Sequence, residues 1–194
     1  MASEIFLITD PNAETETTAT HLKATLERVG AAVVLVSAGE ADDYAYVDKL
    51  KALVPIAHAH DCAVLVDGRP SLVKSTRADG VHMSGGIKAL REAIDTLKPD
   101  HIVGSGDIGS RHEAMLRGEL DIDYLLFGDR AEPGTEERAD ERDMAQWWAE
   151  TFEVPSVYRA TTGEAEVFDT LGSEFIAYDE ADWDKIDVTA GATA

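Results

Sequence analysis

Four stretches of this chain hold side chains able to do chemistry. Asp67-Gly68-Arg69-Pro70 sets a carboxylate two residues from a guanidinium. That pairing could supply an oxygen ligand for a divalent cation and a fork of donors for phosphate. It could equally be a turn in which Asp67 caps the next helix. His82 ends the run Asp79-Gly80-Val81-His82, where an imidazole could bind phosphate, carry a proton, or rest with its hydrogen bonds satisfied. Ser84-Gly85-Gly86 leads into a helix start, whose free N–H groups favour an anion. Gly104-Ser105-Gly106 is similar, and its small residues allow close backbone approach to a ligand.

Other chemistries find no support. His58 and His60 lie two residues apart, on different faces of a helix, and lack the four-residue spacing of a helical metal pair. The lone Cys62 cannot build a disulfide framework or a multi-thiolate metal site. No Ser or Cys sits in a nucleophile signature such as Gly-x-Ser-x-Gly. The net charge of −21 repels phosphate backbones, so nucleic acid and anionic membranes are poor partners. Acids outnumber bases 18 to 5 from Asp129 onward, which reads as a solvated acidic face or, more sharply, as attraction for a basic partner or a metal. No apolar run approaches the roughly 18 residues of a membrane span. The opening Met1-Ala2-Ser3-Glu4 has no basic region before an apolar core, so the expected compartment is the cytoplasm.

The elements that must carry these groups alternate. Short apolar runs read as buried strands over Glu4–Asp10, Ala32–Ser37, Cys62–Asp67, Asp79–Met83, His101–Ser105, Ile122–Gly128, Pro155–Arg159 and Glu174–Tyr178. Helical spacing appears over Thr15–Gly30, Tyr44–His60, Pro70–Arg77, Ile87–Leu97, Arg111–Gly118, Met144–Phe152 and Glu164–Leu171. The charged segment 129–143, with Pro133-Gly134, reads as a loop. Trp147, Trp148 and Trp183 read as packing in the outer helices. Eight strand–helix units, about 24 residues each, predict a compact single-domain α/β fold, a (β/α)8 TIM barrel. Its extent is residues 1–188, with a frayed tail over 189–194. A doubly wound open sheet is the competitor, but no Gly-rich dinucleotide fingerprint follows the first strand.

In such a barrel the active site collects where the strands end. That rule selects Asp10, Ser37, Asp67, Arg69, His82, Ser84, Ser105, Asp107, Gly128, Asp129, Arg130 and Arg159. Asp10, Asp67, His82 and Ser105 are expected at one mouth.

Three strings then resemble a known family. Ile8-Thr9-Asp10, Ala78-Asp79-Gly80-Val81-His82, and Asp121-Ile122-Asp123-Tyr124 leading to Gly128 are similar to the thiamine phosphate synthase family, which includes the related thiazole tautomerase. The resemblance follows nearly the whole chain. It implies a (β/α)8 barrel and a transferase that joins an aminopyrimidine diphosphate to a thiazole phosphate with Mg2+, releasing pyrophosphate.

The same resemblance implies losses. The family's Asn-Asp-Arg reads Asp67-Gly68-Arg69 here, so Gly68 takes the place of a metal-binding Asp and only Asp67 could substitute. Its Gly-Gln-Glu-Asp reads Ser84-Gly85-Gly86-Ile87, without the second metal carboxylate. Its Gln-Leu-Arg-Glu-Lys reads Val36-Ser37-Ala38-Gly39-Glu40, and the Thr-x-Thr-Lys loop has become the acidic segment that leaves Arg130 as the nearest cation. The Gly-Gly phosphate loop after strand seven is missing, although Gly163 could keep part of it. Mg2+, with Asp67 as its remaining carboxylate, is therefore expected to be held weakly or not at all. Substrate binding is expected from Asp67, Arg69, His82, Ser84, Ser105, Gly128 and Arg130, acting on a small phosphorylated or carboxylate ligand. A divergent synthase, a catalytically silent binding or regulatory barrel, and a barrel enzyme that needs no diphosphate all remain open, as does the oligomeric state.

Overall fold

A computed structural model describes residues 3–130, 135–161 and 171–186. Its strands β1 (Glu4–Ile8), β2 (Val33–Val36), β3 (Ala63–Asp67), β4 (Gly80–Met83), β5 (Ile102–Ser105), β6 (Tyr124–Phe127), β7 (Ser156–Ala160) and β8 (Phe175–Asp179) run parallel in sequence order. β8 pairs with β1 through Glu4↔Phe175 to Ile8↔Asp179, which closes the barrel and excludes the open sheet. Helices α1 (Thr15–Val29), α2 (Asp43–His58), α3 (Leu72–Thr76), α4 (Ile87–Leu97), α5 (Arg111–Gly118) and α6 (Glu136–Thr151) lie between strands, and a 3₁₀ helix (Glu180–Lys185) follows β8.

The continuous apolar runs follow from burial on both faces. Phe6, Ile8, Leu35, Leu65, Tyr124, Leu126, Val157 and Ala177 fill the interior. Their alternate neighbours, among them Leu7, Val34, Val64, Val66, Val81, Val103 and Leu125, pack outward with the helices. Two inward glycines make room for this filling. A Cβ on Gly80 would stand 2.1 Å from the Ile102 carbonyl oxygen, and one on Gly104 would stand 2.0 Å from the Tyr124 ring.

The lower rim carries a repeated stitch. Asp79, just ahead of β4, accepts from the Val64 amide of β3 at 2.7 Å. Asp123, ahead of β6, accepts from the Val103 amide of β5 at 2.7 Å and holds Lys98 Nζ at 2.6 Å. Glu174, ahead of β8, accepts from the Ser156 amide of β7 at 2.8 Å. Each carboxylate satisfies an amide that the staggered end of a strand leaves open. Asp79 and Asp123, both in the strings that carry the resemblance, thus hold the barrel together at the end away from the mouth.

One expectation needs correcting. The segment read as a loop up to Asp143 is helical from Glu136, eight residues ahead of Met144. Thr135 caps it by accepting from the Arg138 amide at 3.2 Å, and Glu136 and Glu137 favour the positive end of the helix dipole. The buried stripe is Arg138, Glu141, Met144, Ala145 and Trp148. Two of its members are charged and paired with each other at 3.6 Å, which hid the helical period from an apolar count. Trp147 and Trp148 do pack in this helix, whereas Trp183 lies fully buried in the 3₁₀ helix. Of the helix expected over Glu164–Leu171, only Leu171 lies within the described residues, as does none of the tail 189–194.

Because Gly104 faces a ring with no space between them, Gly104→Ala should destabilise the fold by about 1–3 kcal/mol through overpacking. Urea unfolding of the variant checks this, and a change under about 0.5 kcal/mol, the scale of a neutral surface substitution, would contradict it.

Candidate functional site

The C-terminal ends of the strands surround a cavity of about 430 Å³. Inward alternation on β3, β4, β7 and β8 delivers Asp67, His82, Arg159 and Asp179 to it, while the turns after β1 and β6 bring Asp10 and Asp129. Glu180, from the 3₁₀ helix, forms part of the wall.

His82 is the most enclosed of these, 3% exposed. Its Nδ1 lies 2.8 Å from the Tyr124 hydroxyl, and the two rings stack with centroids 5.7 Å apart. Tyr124 is buried and its hydroxyl needs an acceptor, so it donates to Nδ1 and leaves the proton of the neutral imidazole on Nε2. Burial, helped by the Arg117 guanidinium, pushes the His82 pKa down to about 4. Arg117 itself leaves α5 to bond Ser105 Oγ at 2.7 Å, the Gly85 carbonyl at 3.0 Å and Glu113 at 2.7 Å.

The carboxylates are held by backbone donors. Asp67 accepts from the Ala38 amide at 3.0 Å, and its own amide donates to the Tyr46 hydroxyl at 2.7 Å. Asp129 Oδ2 accepts from the Asp107 amide at 2.8 Å, whereas its buried Oδ1 has no hydrogen-bond partner among the described residues. Burial raises the pKa of Asp129; the Asp107 amide opposes that shift, and the Glu141 and Asp107 charges add to it. Gly106 lets this acid approach the imidazole, since a Cβ there would stand 2.7 Å from both Asp129 Oδ2 and His82 Nε2. Asp10 caps the turn after β1 by accepting from the Asn12 amide at 2.8 Å. Glu180 accepts from the Asp10 amide at 2.8 Å and from Thr18 Oγ1 at 3.3 Å. Arg159 is bound by Asp179 through its Nε and Nη2, at 2.9–3.1 Å.

The expected site residues separate into two groups. Asp67, His82 and Ser84 line the cavity. Arg69, Ser105, Gly128 and Arg130 do not. Arg69 turns outward over the Tyr46 ring, donates to the Ala41 carbonyl at 2.7 Å and pairs with Asp43 at 3.1 Å. Ser105 faces the helical layer because strand alternation sends Gly104 inward, so its place at the mouth is corrected. Gly128, at φ +86°, makes a turn whose carbonyl receives Arg138. Arg130 pairs with Asp107 at 3.3 Å, outside the cavity.

Asp179 and Glu180 were missed because strand eight was read as ending at Tyr178, although the alternation Phe175, Ala177, Asp179 signals an inward carboxylate. Tyr124 carried no such signal, since an aromatic residue in an apolar run reads as core. No three His, Cys, Asp or Glu side chains gather at one point among the described residues, so a divalent cation at this mouth would be held by one or two carboxylates together with substrate phosphates. No helix of the described residues is long and apolar enough to cross a membrane.

Fold and cavity define an eight-stranded α/β barrel with an acid-rich mouth at the strands' C-terminal ends. The sequence profile of the thiamine monophosphate synthase family matches residues 5–174, and the chain belongs to that family. The thiamine-phosphate synthase of Rhodospirillum centenum is 32% identical over 194 residues, covering 98% of this chain and 94% of the relative. That of Erythrobacter litoralis is 31% identical over 137 residues, or 68% of this chain and 64% of the relative. Among solved structures, a thiamine phosphate pyrophosphorylase from Pyrococcus furiosus superposes with a TM-score of 0.78 at 22% identity, over 97% of this chain and 91% of that one. A Xanthomonas albilineans dihydropteroate synthase shares the fold, with a TM-score of 0.70 at 13% identity over 97% and 88% of the two chains.

A buried neutral imidazole has a consequence for stability. With a folded pKa of about 4 against an unfolded value near 6.5, His82 binds fewer protons folded than unfolded between those limits. Its contribution is therefore present above about pH 6.5 and is lost as pH falls toward 4. An NMR titration should show the His82 ring neutral down to about pH 4; a midpoint between pH 6 and 7, the ordinary range, would contradict the hydrogen bonding described.

Proposed function

We propose that this protein is a cytoplasmic, small-molecule-binding barrel of its family in which the joining of an aminopyrimidine diphosphate to a thiazole phosphate is slow or lost. One observation carries this reading: among the described residues the mouth has no cation left over for a diphosphate. Of the arginines and lysines among the described residues, Arg159 alone lines the cavity, and Asp179 already binds it through two donors. Arg69 and Arg130 are spent on Asp43 and Asp107.

A leaving diphosphate gathers negative charge as its bond breaks, and efficient transfer needs metal or Lys/Arg groups placed to receive it. The chain has Gly68 and Ile87 where the family resemblance puts metal carboxylates, and Ser37-Ala38-Gly39 within its diphosphate motif. Losing one such group costs about 10²–10³ in turnover, so losing several removes most of the rate. A small phosphorylated or carboxylate ligand retains the α4 start at Ser84-Gly85-Gly86 as a donor, but the support expected from Arg69 is gone. The similarity to the Rhodospirillum centenum synthase across 98% of this chain favours one second reading, a transferase of the family kind with turnover comparable to that relative's.

The test is pyrophosphate release from the aminopyrimidine diphosphate and the thiazole phosphate with Mg2+, run beside the Rhodospirillum centenum synthase. Turnover at least about 10³-fold below that enzyme is expected. Equal turnover would overturn the reading.

A further inference from the structure

We infer that the lower rim of the barrel, at the end away from the mouth, binds a small molecule carrying two or more carboxylates. A recess of about 690 Å³ opens there between the end of α3 and the turn from α4 to β5. Its walls hold Lys74, Arg77, Lys98 and His101 beside Asp79, Asp100 and Asp123. The size falls within the range of small-molecule sites, and Pro99 and Ile102 add apolar surface. The recess shares no wall residue with the mouth cavity, so the two can be tested apart.

The acids and bases of this recess are not equally free. Asp79 is spent on the Val64 amide at 2.7 Å and on His58 at 2.8 Å. Asp123 is spent on the Val103 amide at 2.7 Å and on Lys98 at 2.6 Å. Lys74, Arg77 and the His101 ring have neither a hydrogen bond nor an ion pair among the described residues. Asp100, exposed on the rim, is left to oppose them. The chain has 38 acids to 17 bases, so partners are plentiful, yet Lys74 and Arg77 take none. Arg77 also closes α3 at φ +61°, a left-handed conformation that Gly or Asn adopts more cheaply. The guanidinium therefore stands there at a cost in stability, and strain of this kind clusters at binding sites.

The donors select the anion. Phosphate groups favour free backbone N–H groups at helix N-termini and in nests. Here the recess lies at helix C-termini, and the amides of Arg77, Ala78, Asp79, Asp100, His101 and Ile102 all donate to carbonyls. Side chains are left to bind: the Arg77 fork, which matches a carboxylate through two parallel bonds, the Lys74 ammonium, and the His101 nitrogen that carries its proton. They stand on two separate segments, 74–77 and 98–101. A molecule with carboxylates at both ends can meet both segments, whereas a compact diphosphate finds too few donors at either.

Calorimetric titration of the full chain with citrate, succinate, acetate, inorganic pyrophosphate and a tetraglutamate peptide tests this. Citrate should bind with a Kd below about 1 mM, succinate more weakly and acetate not measurably, and added salt should weaken citrate binding. Arg77→Gly removes the fork while suiting the left-handed backbone, so it should stay folded and lose at least about tenfold in citrate affinity. Lys74→Gln, a change at an exposed position, should also lose affinity, which guards against a single misfolded variant. Asp100→Asn should gain about twofold or more, the scale of an exposed charge pair. No citrate binding, citrate affinity unchanged in both Arg77→Gly and Lys74→Gln, or tighter binding of pyrophosphate than of citrate would overturn the inference. Tighter binding of tetraglutamate, which stands for an acidic protein segment, would overturn it as well.

Discussion

Closing eight short parallel strands leaves an interior that side chains must fill, and here Tyr124 joins that filling to the site. Its ring occupies the space that Gly104 leaves open, packs edge-on to Phe6 at 5.7 Å, and stacks on His82. Its hydroxyl fixes the imidazole and leaves the Nε2 proton facing the cavity. Gly106 completes the arrangement, since any side chain there would collide with both His82 and Asp129. The chemistry available at the mouth therefore depends on how the barrel is packed one layer below.

Charge is sorted along the barrel axis. At the lower rim Asp79, Asp123 and Glu174 are each satisfied by a strand amide, and two of them also meet a cationic or imidazole partner, Lys98 or His58. At the mouth the carboxylates take backbone donors but outnumber cations. Three arginines outside the cavity are turned into scaffold: Arg117 ties α5 to β5, Arg138 ties α6 to the carbonyls after β6 and in β7, and Arg69 ties the turn after β3 to the start of α2. The buried Arg117 and Arg138, with several carbonyl or carboxylate partners each, are costly to free, so a diphosphate would not readily recruit them.

The barrel was legible because strands buried on both faces leave an unmistakable mark, short apolar runs at regular spacing. The start of α6 was not, since its buried stripe includes the Arg138–Glu141 pair, and paired burial of charge looks like a solvated segment in one dimension. Asp67 and His82 were found at the mouth by the rule that strand ends carry the site. The same rule failed for Arg69 and Ser105, because a strand end fixes a backbone position while alternation and local partners decide where the side chain points. Asp43, the first residue of α2, captures Arg69, and nothing in the spacing announces that contact.

The central claim is that this mouth lacks the positive charge to hold a diphosphate. A ³¹P NMR titration of inorganic pyrophosphate, with Mg2+ present, measures that property without requiring turnover or any organic ligand. The account predicts pyrophosphate resonances unchanged by protein up to roughly millimolar concentration, the range of very weak binding. Saturable binding at roughly micromolar concentration, abolished by Asp67→Ala, would contradict it.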